Sequence, residues 1–412
     1  MKVIIIKGTK QIGGCITEIS TNKSKIIIDF GNDLEENNES FELEGLTKGK
    51  SIYNAVFITH SHGDHIGLIN KINKDIPIYV EKVTLDIHNL TCDFCNKERV
   101  NRDVNTFELQ FNTKKDNKET KKIFDNGDIK VYAYIADHSS YNSCMFIVEG
   151  DGKRILHTGD FRMHGRKGYI SEVSLKKIGN VDMLITEGTT LNRCQNEYMS
   201  EKELENKATS IMKKYNQILI IQSSTNFDRT TSFVRASIKS NRKFILDLFS
   251  YYLQNMINRF IKVDNHNIYL WKPNKYNYKP KWFKEKYISM DNDLTGAFPY
   301  FTMEVKESML PDIKMLHEKG LLKNACLIYS MWEGYIEKED KLKRFINELK
   351  NMNIDIVFLH TSGHADINGY KKLNKIVNPN QTIIIHTENG SNGKAIFNNV
   401  IELNDGESIL VN

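Results

Sequence analysis

The sequence has few cysteines and prolines, six of each among 412 residues, and no long apolar stretch. The longest uninterrupted apolar run covers residues 131–136, whereas a membrane-spanning helix needs ~18 or more apolar residues. We therefore expect no membrane span and no membrane partner. The apolar residues 3–6 are too few for the ~7–15-residue core of a signal peptide, which favours a cytoplasmic protein. In such a protein the cysteines are expected to be reduced thiols, not a disulfide framework.

The overall composition is that of an ordinary globular protein, with 40% hydrophobic and 26% charged residues. The net charge of +5 is only mildly basic, so charge alone does not indicate nucleic-acid binding. Residues 271–287 combine six lysines with six aromatic residues. Lysines can follow phosphates and rings can stack on unpaired bases; the alternative is a surface loop whose rings pack on its own domain. The lysine-rich residues 114–122 are expected to form a solvated hairpin or loop.

Hydrophobic patterning divides the chain into three parts. Short β-rich runs dominate the first part, and strand–helix alternation of the kind found in parallel α/β units follows. The last part returns to strands, from a run at residues 354–360 onward. We predict a first domain at 1–195, an inserted domain at 196–351, and completion of the first domain by 352–412.

The most informative segment is an H-x-H-x-D-H motif formed by His60, His62, Asp64 and His65. It follows the apolar run 55–58, so it lies where a strand leads into a loop. Imidazole nitrogen and carboxylate oxygen are ligands of Zn²⁺, and His60 and His62 would point to the same side of an extended backbone. One cation could hardly use all four side chains. Two cations ~3.5–4 Å apart would use them naturally.

Two further residues that could bind a metal, His138 and Asp160, follow predicted strands. Strand ends are places where ligands can converge. Taken alone, each residue would more often be a cap or part of a turn than a ligand.

The motif, followed in order by His138 and by Thr158-Gly159-Asp160, resembles the metallo-β-lactamase superfamily. That resemblance implies an α/β fold, the four-layer αβ/βα sandwich, with one or two zinc ions at one sheet edge. Three later motifs resemble the β-CASP branch, which includes ribonuclease J and the eukaryotic mRNA 3′-end cleavage nuclease. In this branch Glu187 corresponds to motif A, His364 to motif B and His386 to motif C. The resemblance covers nearly the whole chain, and it implies that the inserted segment is a β-CASP α/β domain.

The resemblance also implies a set of roles at the site. One zinc ion is expected on His60, His62 and His138, a second on Asp64, His65 and His386, and Asp160 between them. Mn²⁺ is an alternative cation, because the ligand types overlap. His364 is the expected general acid, Glu187 holds it in position, and Asp64 counts as a catalytic residue as well as a ligand. Ser362 and Gly363 are expected to contact a substrate phosphate.

These roles predict a metal-dependent hydrolase that cleaves phosphodiester bonds, with single-stranded RNA as substrate. The histidine at position 386 favours RNA, because the DNA-repair members of the branch typically carry a small apolar residue there. A DNA nuclease of the same fold, a non-catalytic RNA-processing scaffold and a small-molecule hydrolase are the alternatives. A homodimer is consistent with family analogy. Cys92 and Cys95 lack a matching second pair and are expected to be ordinary thiols of a helical segment.

Overall fold

The computed structural model describes residues 1–34, 41–109, 120–193, 197–258, 268–271, 287–288 and 299–412. These residues form two compact units. The first contains Met1–Tyr198 and Gly363–Asn412, and the second contains Met199–Ser362. Among the described residues, no helix has the length and apolar character required to cross a bilayer.

The described residues of the first unit begin with eleven strands and three helices. In chain order they are β1 (Lys2–Lys7), β2 (Ile16–Ser20), β3 (Lys25–Ile28), β4 (Ala55–Ile58), α1 (Gly63–Ile66), β5 (Ile78–Glu81), α2 (Lys82–Phe94), β6 (Asn105–Phe107), β7 (Thr120–Asp125), β8 (Lys130–Ile135), β9 (Cys144–Gly150), β10 (Lys153–His157), α3 (Gly168–Ile178) and β11 (Met183–Glu187).

The second unit alternates helices and strands. Its described elements are α4 (Glu201–Met212), β12 (Gln217–Ile221), α5 (Phe227–Lys239), β13 (Lys243–Leu246), α6 (Leu248–Asn258), β14 (Ile268–Trp271), β15 (Tyr287–Ile288), β16 (Phe301–Glu304), α7 (Leu310–Glu318), β17 (Ala325–Tyr329), α8 (Gly334–Lys338), α9 (Asp340–Asn351) and β18 (Asp355–Phe358). The chain then returns to the first unit with α10 (Ile367–Val377), β19 (Gln381–Ile385), β20 (Val400–Ile401) and β21 (Ser408–Leu410).

Two seven-stranded sheets build the first unit. Their described strand orders are β21-β1-β2-β3-β4-β5-β6 and β20-β19-β11-β10-β9-β8-β7. One apolar core lies between the sheets and contains residues of both, such as Phe57 of β4 and Phe146 of β9. On the outer face of the second sheet, Leu175 of α3 and Leu373 of α10 pack in another core. The predicted αβ/βα sandwich is confirmed, because each sheet buries both of its faces.

The second unit contains a parallel sheet with helices on both faces. The order of the described strands in this sheet is β15-β14-β13-β16-β12-β17-β18. Helices α7 and α9 cover one face, and α4 and α5 cover the other. The buried guanidinium of Arg229 links α5 to α4 and to the segments that follow β17 and β18. It pairs with Glu201 of α4 at 3.0 Å and donates to the carbonyl oxygens of Ser330 and Thr361.

Two predicted elements differ from the structure. The run at 354–360 was expected with the C-terminal part of the first domain, but β18 pairs in parallel with β17 in the sheet of the second unit. The sequence pattern of residues 303–319 predicts a helix, but Phe301–Glu304 is strand β16 and α7 begins only at Leu310. Phe301 and Met303 alternate with Thr302 and Glu304, a two-residue period that suits a strand buried between β12 and β13.

Candidate metal centre

The candidate ligands lie where strands of the first unit end. β8, β10, β11 and β19 all run in the same direction, so their carboxyl ends meet at one edge of the second sheet. His138, Asp160 and His386 follow three of these strands, and Glu187 is the last residue of β11. His60 follows β4 of the first sheet, which is tied to this edge by a backbone hydrogen bond from Cys144 to Thr59.

Three histidines and Asp160 form a first group of ligand atoms, which all lie within 4.8 Å of one another. Nδ1 of His62 lies 3.0 Å from Nε2 of His60 and 3.2 Å from Nε2 of His138. Oδ2 of Asp160 lies 3.7 Å from the same Nε2 atoms of His60 and His138. Ligand atoms on a tetrahedral zinc ion are about 3.3 Å apart, since Zn–N bonds measure about 2.0–2.1 Å. The group therefore has the dimensions of a cation site.

A second group of ligand atoms also includes Asp160. Oδ2 of Asp64 is 3.1 Å from Nε2 of His386 and 3.7 Å from Nε2 of His65. Oδ2 of Asp160 is 3.4 Å from Nε2 of His65 and 3.8 Å from that of His386. The thiol of Cys15 joins His65 and His386, with all three ligand atoms within 4.8 Å of one another. One carboxylate, that of Asp160, is thus common to both groups.

Two buried polar atoms indicate that this cluster fits divalent cations. Oδ1 of Asp160 and Nε2 of His65 are buried and have no hydrogen-bond partner among the described residues. A buried polar atom without a partner costs about 1–3 kcal/mol, and more if it is charged. A cation in each group would supply that missing partner, and oxygen and imidazole nitrogen are suitable donors for it.

The pKa values follow from burial and from the mixture of charges. Burial lowers the pKa of His60 and His138 and brings that of His62 to about 4, so these rings are neutral and can donate lone pairs. For His65 and His386 burial acts in the same direction, but the carboxylates of Asp160 and Asp64 outweigh it and raise both pKa values.

The two carboxylates respond in the opposite sense. Burial by itself would raise the pKa of Asp160 and Asp64, but the charges of His65 and His386 outweigh it and hold both values below the ordinary range. Both groups therefore stay ionised and attract positive charge into a buried site.

His364 and Glu187 lie together beside Asp160. Nδ1 of His364 is 3.7 Å from Oδ2 of Asp160 and 3.5 Å from Oε2 of Glu187. Glu187 also accepts hydrogen bonds from the backbone N–H of Ala365, at 3.2 Å, and from the hydroxyl of Tyr370, at 3.0 Å. The carboxylate thus fixes the backbone beside His364 as well as facing its ring. The His364 side chain is 20% exposed, unlike the buried residues around it.

Two residues that sequence reasoning assigned no role hold the ligands in place. The carboxylate of Asp29 lies 2.8 Å from Nδ1 of His65 and accepts from the backbone N–H and hydroxyl of Thr59, at 2.7 and 2.8 Å. The hydroxyl of Thr189 lies 2.7 Å from Nδ1 of His386 and 3.2 Å from Nδ1 of His364. Both residues adjoin strand ends, at the end of β3 and of β11, and that position was the available signal.

The expected substrate contacts have a mixed outcome. The carbonyl oxygen of Gly363 lies 2.7 Å from Nδ1 of His138, so this residue orients a candidate ligand. A side chain at Gly363 would lie 2.7 Å from the hydroxyl of Ser139. Ser362 is buried and is the last residue of the second unit. Their contacts with a phosphate stay a prediction.

The cysteine pair of α2 lies away from this centre, and the two lysine-rich segments lie mostly outside the described residues. Cys92 is buried in α2 with its sulfur 3.5 Å from Nε2 of His88, whereas Cys95 is exposed. Within the described part of the chain, the groups of metal-ligand atoms include neither cysteine. Most of the segments 271–287 and 114–122 lie outside the described residues.

Two family models match the sequence. Residues 24–214 match the beta-lactamase superfamily domain, and residues 349–391 match the RNA specificity domain of Zn-dependent metallo-hydrolases. The first match includes His60, Asp64, His138 and Asp160, and the second includes His364 and His386. Together they contain every candidate ligand described above except Cys15.

Curated relatives agree with these matches. Ribonuclease J of Helicobacter pylori is 21% identical over 94% of this chain and 56% of its own length. The probable RNase MJ4 of Methanocaldococcus jannaschii is 24% identical over 46% of this chain and 45% of its own length. Transcription termination factor FttA of Lokiarchaeum is 27% identical over 52% of this chain and 35% of its own length. The chain therefore spans a little over half the length of the ribonuclease J that it matches.

A crystal structure of an Enterococcus faecalis V583 protein of unknown function has the same fold. It superposes with a TM-score of 0.78 at 20% identity and covers 99% of both chains. The confirmed sandwich, the order of the motifs and the two family matches agree with one another. The chain belongs to the metallo-β-lactamase superfamily, in its β-CASP, ribonuclease J-like branch.

Proposed function

We propose that this protein is a metal-dependent hydrolase that cleaves phosphodiester bonds in single-stranded RNA and uses two zinc ions. The observation that carries the proposal is the position of Asp160. Its Oδ2 lies within 3.8 Å of imidazole nitrogens from His60 and His138 of one ligand group and from His65 and His386 of the other. A carboxylate shared by two groups is the arrangement expected where two cations act on one substrate.

The residues divide between two cations. His60, His62 and His138 would hold one, and Asp64, His65 and His386 the other, with Asp160 between them. When bound, the cations supply positive charge for the phosphate and a water acidic enough to attack near neutral pH. Asp64 contributes to the reaction only as a ligand in this assignment, because its Oδ2 is directed at His386 and His65.

His364 is the proposed general acid. Its Nδ1 faces Thr189, Glu187 and Asp160, so its Nε2 is on the opposite side of the ring, where it can protonate the departing oxygen. An imidazole is suited to this task because it titrates near neutral pH. The greater exposure of His364, compared with the buried histidines around it, is consistent with a ring that meets substrate.

Glu187 is proposed as a positioning residue. It faces the His364 ring, and it also accepts from the backbone of the next residue, Ala365, and from Tyr370. These bonds fix both the ring and the chain that carries it. Preorganisation of this kind is what a proton donor needs in order to act at a defined atom.

Three features support RNA as the substrate. The matched RNA specificity domain covers the segment with His364 and His386, and the curated relatives include named ribonucleases. Position 386 is histidine, as in the RNA-acting members that the sequence resembles. Ser362 and the backbone N–H of Gly363 are proposed to contact a phosphate next to the one that is cleaved.

The decisive experiment compares end-labelled single-stranded RNA with DNA of the same sequence, using protein reconstituted with zinc. We expect cleavage of RNA only, and no cleavage by Asp160→Asn, which keeps the shape of the side chain but removes its charge. The product ladder would distinguish internal cleavage from trimming of one end.

Cleavage of DNA alone would contradict the RNA assignment and favour a DNA nuclease. Cleavage of neither polymer by protein that holds two zinc ions would contradict nuclease activity itself.

A further inference from the structure

Cys15 is brought to the metal centre by the loop between β1 and β2. Gly13 and Gly14 have positive φ angles of 86° and 65°, a conformation that glycine adopts at little cost. The backbone N–H of Cys15 then donates to the carbonyl of Asp64 at 3.2 Å. A Cβ at Gly13 would lie 3.0 Å from Oδ2 of Asp64. The loop therefore places Cys15 next to a candidate ligand, in a position that a bulkier neighbour would disturb.

The sulfur of Cys15 lies with the second ligand group and not with the first. Its Sγ, one nitrogen of His65 and one nitrogen of His386 are all within 4.8 Å of one another. Sulfur and nitrogen on one tetrahedral zinc ion are about 3.5 Å apart, because Zn–S and Zn–N bonds measure about 2.3 and 2.0–2.1 Å. No sulfur–nitrogen pair in the group is therefore more than about 1.3 Å beyond that spacing.

An independent observation indicates a ligand at this point. Nε2 of His65 is buried and has no hydrogen-bond partner among the described residues. The other ring nitrogen of His65 is held by Asp29, so the unpartnered atom is fixed in direction. The side chain of Cys15 is itself 1% exposed, which excludes solvent from the same point.

We propose that Cys15 is a sulfur ligand of the cation held by Asp64, His65 and His386, and that it makes this pocket prefer thiophilic cations such as zinc over manganese or magnesium. The inference rests on the two-cation centre of the proposed function. On binding, the Cys15 S–H bond breaks, its proton is released to solvent, and the thiolate forms the bond to the cation. Soft thiolate ligands select zinc, whereas hard oxygen ligands suit manganese and magnesium.

The first test needs no variant. X-ray absorption at the zinc edge, on wild-type protein with two zinc ions, is expected to require a sulfur neighbour at about 2.3 Å in addition to nitrogen and oxygen at about 2.0–2.1 Å. The fitted value should be about one sulfur for every two zinc ions. A spectrum that nitrogen and oxygen neighbours explain fully would overturn the inference.

Variants assign the sulfur atom. Cys15→Ser should remove the sulfur neighbour and weaken zinc binding at one of the two sites about tenfold or more, with a smaller effect on manganese. Substitution of a residue that only supports a metal ligand typically lowers metal affinity 10–100-fold, so loss of a direct ligand should cost at least tenfold. A double substitution, Cys92→Ala with Cys95→Ala, removes two thiols that lie away from the metal centre and should leave the spectrum unchanged. Loss of the sulfur neighbour in that control, and not in Cys15→Ser, would contradict the inference.

The result can be separated from that of the proposed function. A sulfur neighbour in protein that does not cleave RNA would support Cys15 as a ligand and contradict the nuclease assignment. RNA cleavage by protein without a sulfur neighbour would support the nuclease assignment and contradict Cys15 as a ligand. If Cys15→Ser does not fold, the wild-type spectrum and the double-cysteine control still decide the question.

Discussion

At the scale of single residues, the centre is organised around one buried carboxylate. Asp160 is 2% exposed and is surrounded by imidazoles from five histidines, yet one of its oxygens has no hydrogen-bond partner among the described residues. A buried charge is costly unless it is paired or binds a cation. Residues such as Asp29 and Thr189 matter at the same scale, because each one fixes the ring of a candidate ligand through its other nitrogen.

His364→Ala tests the assignment of the proton donor. We expect turnover of RNA to fall by ~10²–10⁴-fold, the typical contribution of a general acid, while both zinc ions remain bound. The measurements are the cleavage rate and the zinc content of the same sample. His317→Ala, in helix α7, is a histidine control that should match the wild type. Loss of one zinc ion from His364→Ala would instead make His364 a ligand.

Asp29→Asn tests the support of His65. The substitution removes the charge that faces Nδ1 of His65, so we expect zinc affinity at one site to fall by about 10–100-fold. Competition with a chelator would measure the change. Asp128→Asn is a matched control, because Asp128 contacts Thr21 in a different part of the first unit. Equal zinc affinity in the two variants would argue against a supporting role for Asp29.

At the scale of elements, strand direction creates the site. Parallel strands deliver His138, Asp160, Glu187 and His386 to one edge, and a helix cap supports the neighbouring loop. The carboxylate of Glu81 accepts from the backbone of Val83 and Thr84 at the start of α2, and from the amide of Asn142 in the loop after His138. This one side chain therefore links the end of β5, α2 and a loop of the metal centre.

Glu81 gives the first unit a predictable pH dependence. Burial raises its pKa from 4.5 to about 7, so the folded state binds the proton more tightly than the unfolded state does. Its stabilising contribution is complete below pH 4.5 and is lost as the pH rises through about 7. The loss is roughly 3–4 kcal/mol at most, since one pKa unit corresponds to about 1.4 kcal/mol.

Glu81→Gln should remove this contribution. Denaturant unfolding of metal-free protein at pH 5 and pH 8 would measure it, as the difference between wild type and variant at each pH. We expect the variant to gain stability relative to the wild type as the pH rises. A difference that is the same at both pH values would show that Glu81 does not titrate in this range.

At the scale of the whole molecule, the division into two units predicts where metal binding stabilises the chain. All candidate ligands belong to the first unit, although His386 and His364 follow the second unit in sequence. A ligand that binds only the folded state stabilises it by about 2.7 kcal/mol at a concentration 100 times its dissociation constant. That stabilisation should therefore be confined to the first unit.

Chelation of the metal tests this confinement by hydrogen exchange. We expect faster exchange in the segments that carry ligands, near residues 59–66, 137–140, 158–161 and 386–388. Strands β12, β16 and β17 in the core of the second unit should exchange as before. Faster exchange throughout both units would contradict a stabilisation limited to the first. The homodimer and the cytoplasmic location stay predictions at this scale.

The sequence by itself determined the family, the fold class and the set of candidate ligands, because H-x-H-x-D-H and the later motifs are local patterns that depend on residue type and spacing. It also identified strands correctly where apolar runs were continuous, as in β4 and β10. It did not predict β2, in which Thr17, Glu18 and Ser20 are polar but buried; Glu18 there accepts a hydrogen bond from Tyr53 at 2.9 Å. Partners 35 residues away cannot be read from local periodicity.

Only the tertiary structure decided which side chains meet. Asp29 and His65 are 36 residues apart, and Thr189 and His386 are 197 apart, so their contacts depend on how strands are ordered in the sheets. The same applies to Cys15, whose thiol reaches His386 only because two sheets close on one another at the site. Strand β18 joined the sheet of the second unit for a related reason, since strand pairing depends on the neighbours available in space and not on distance along the chain.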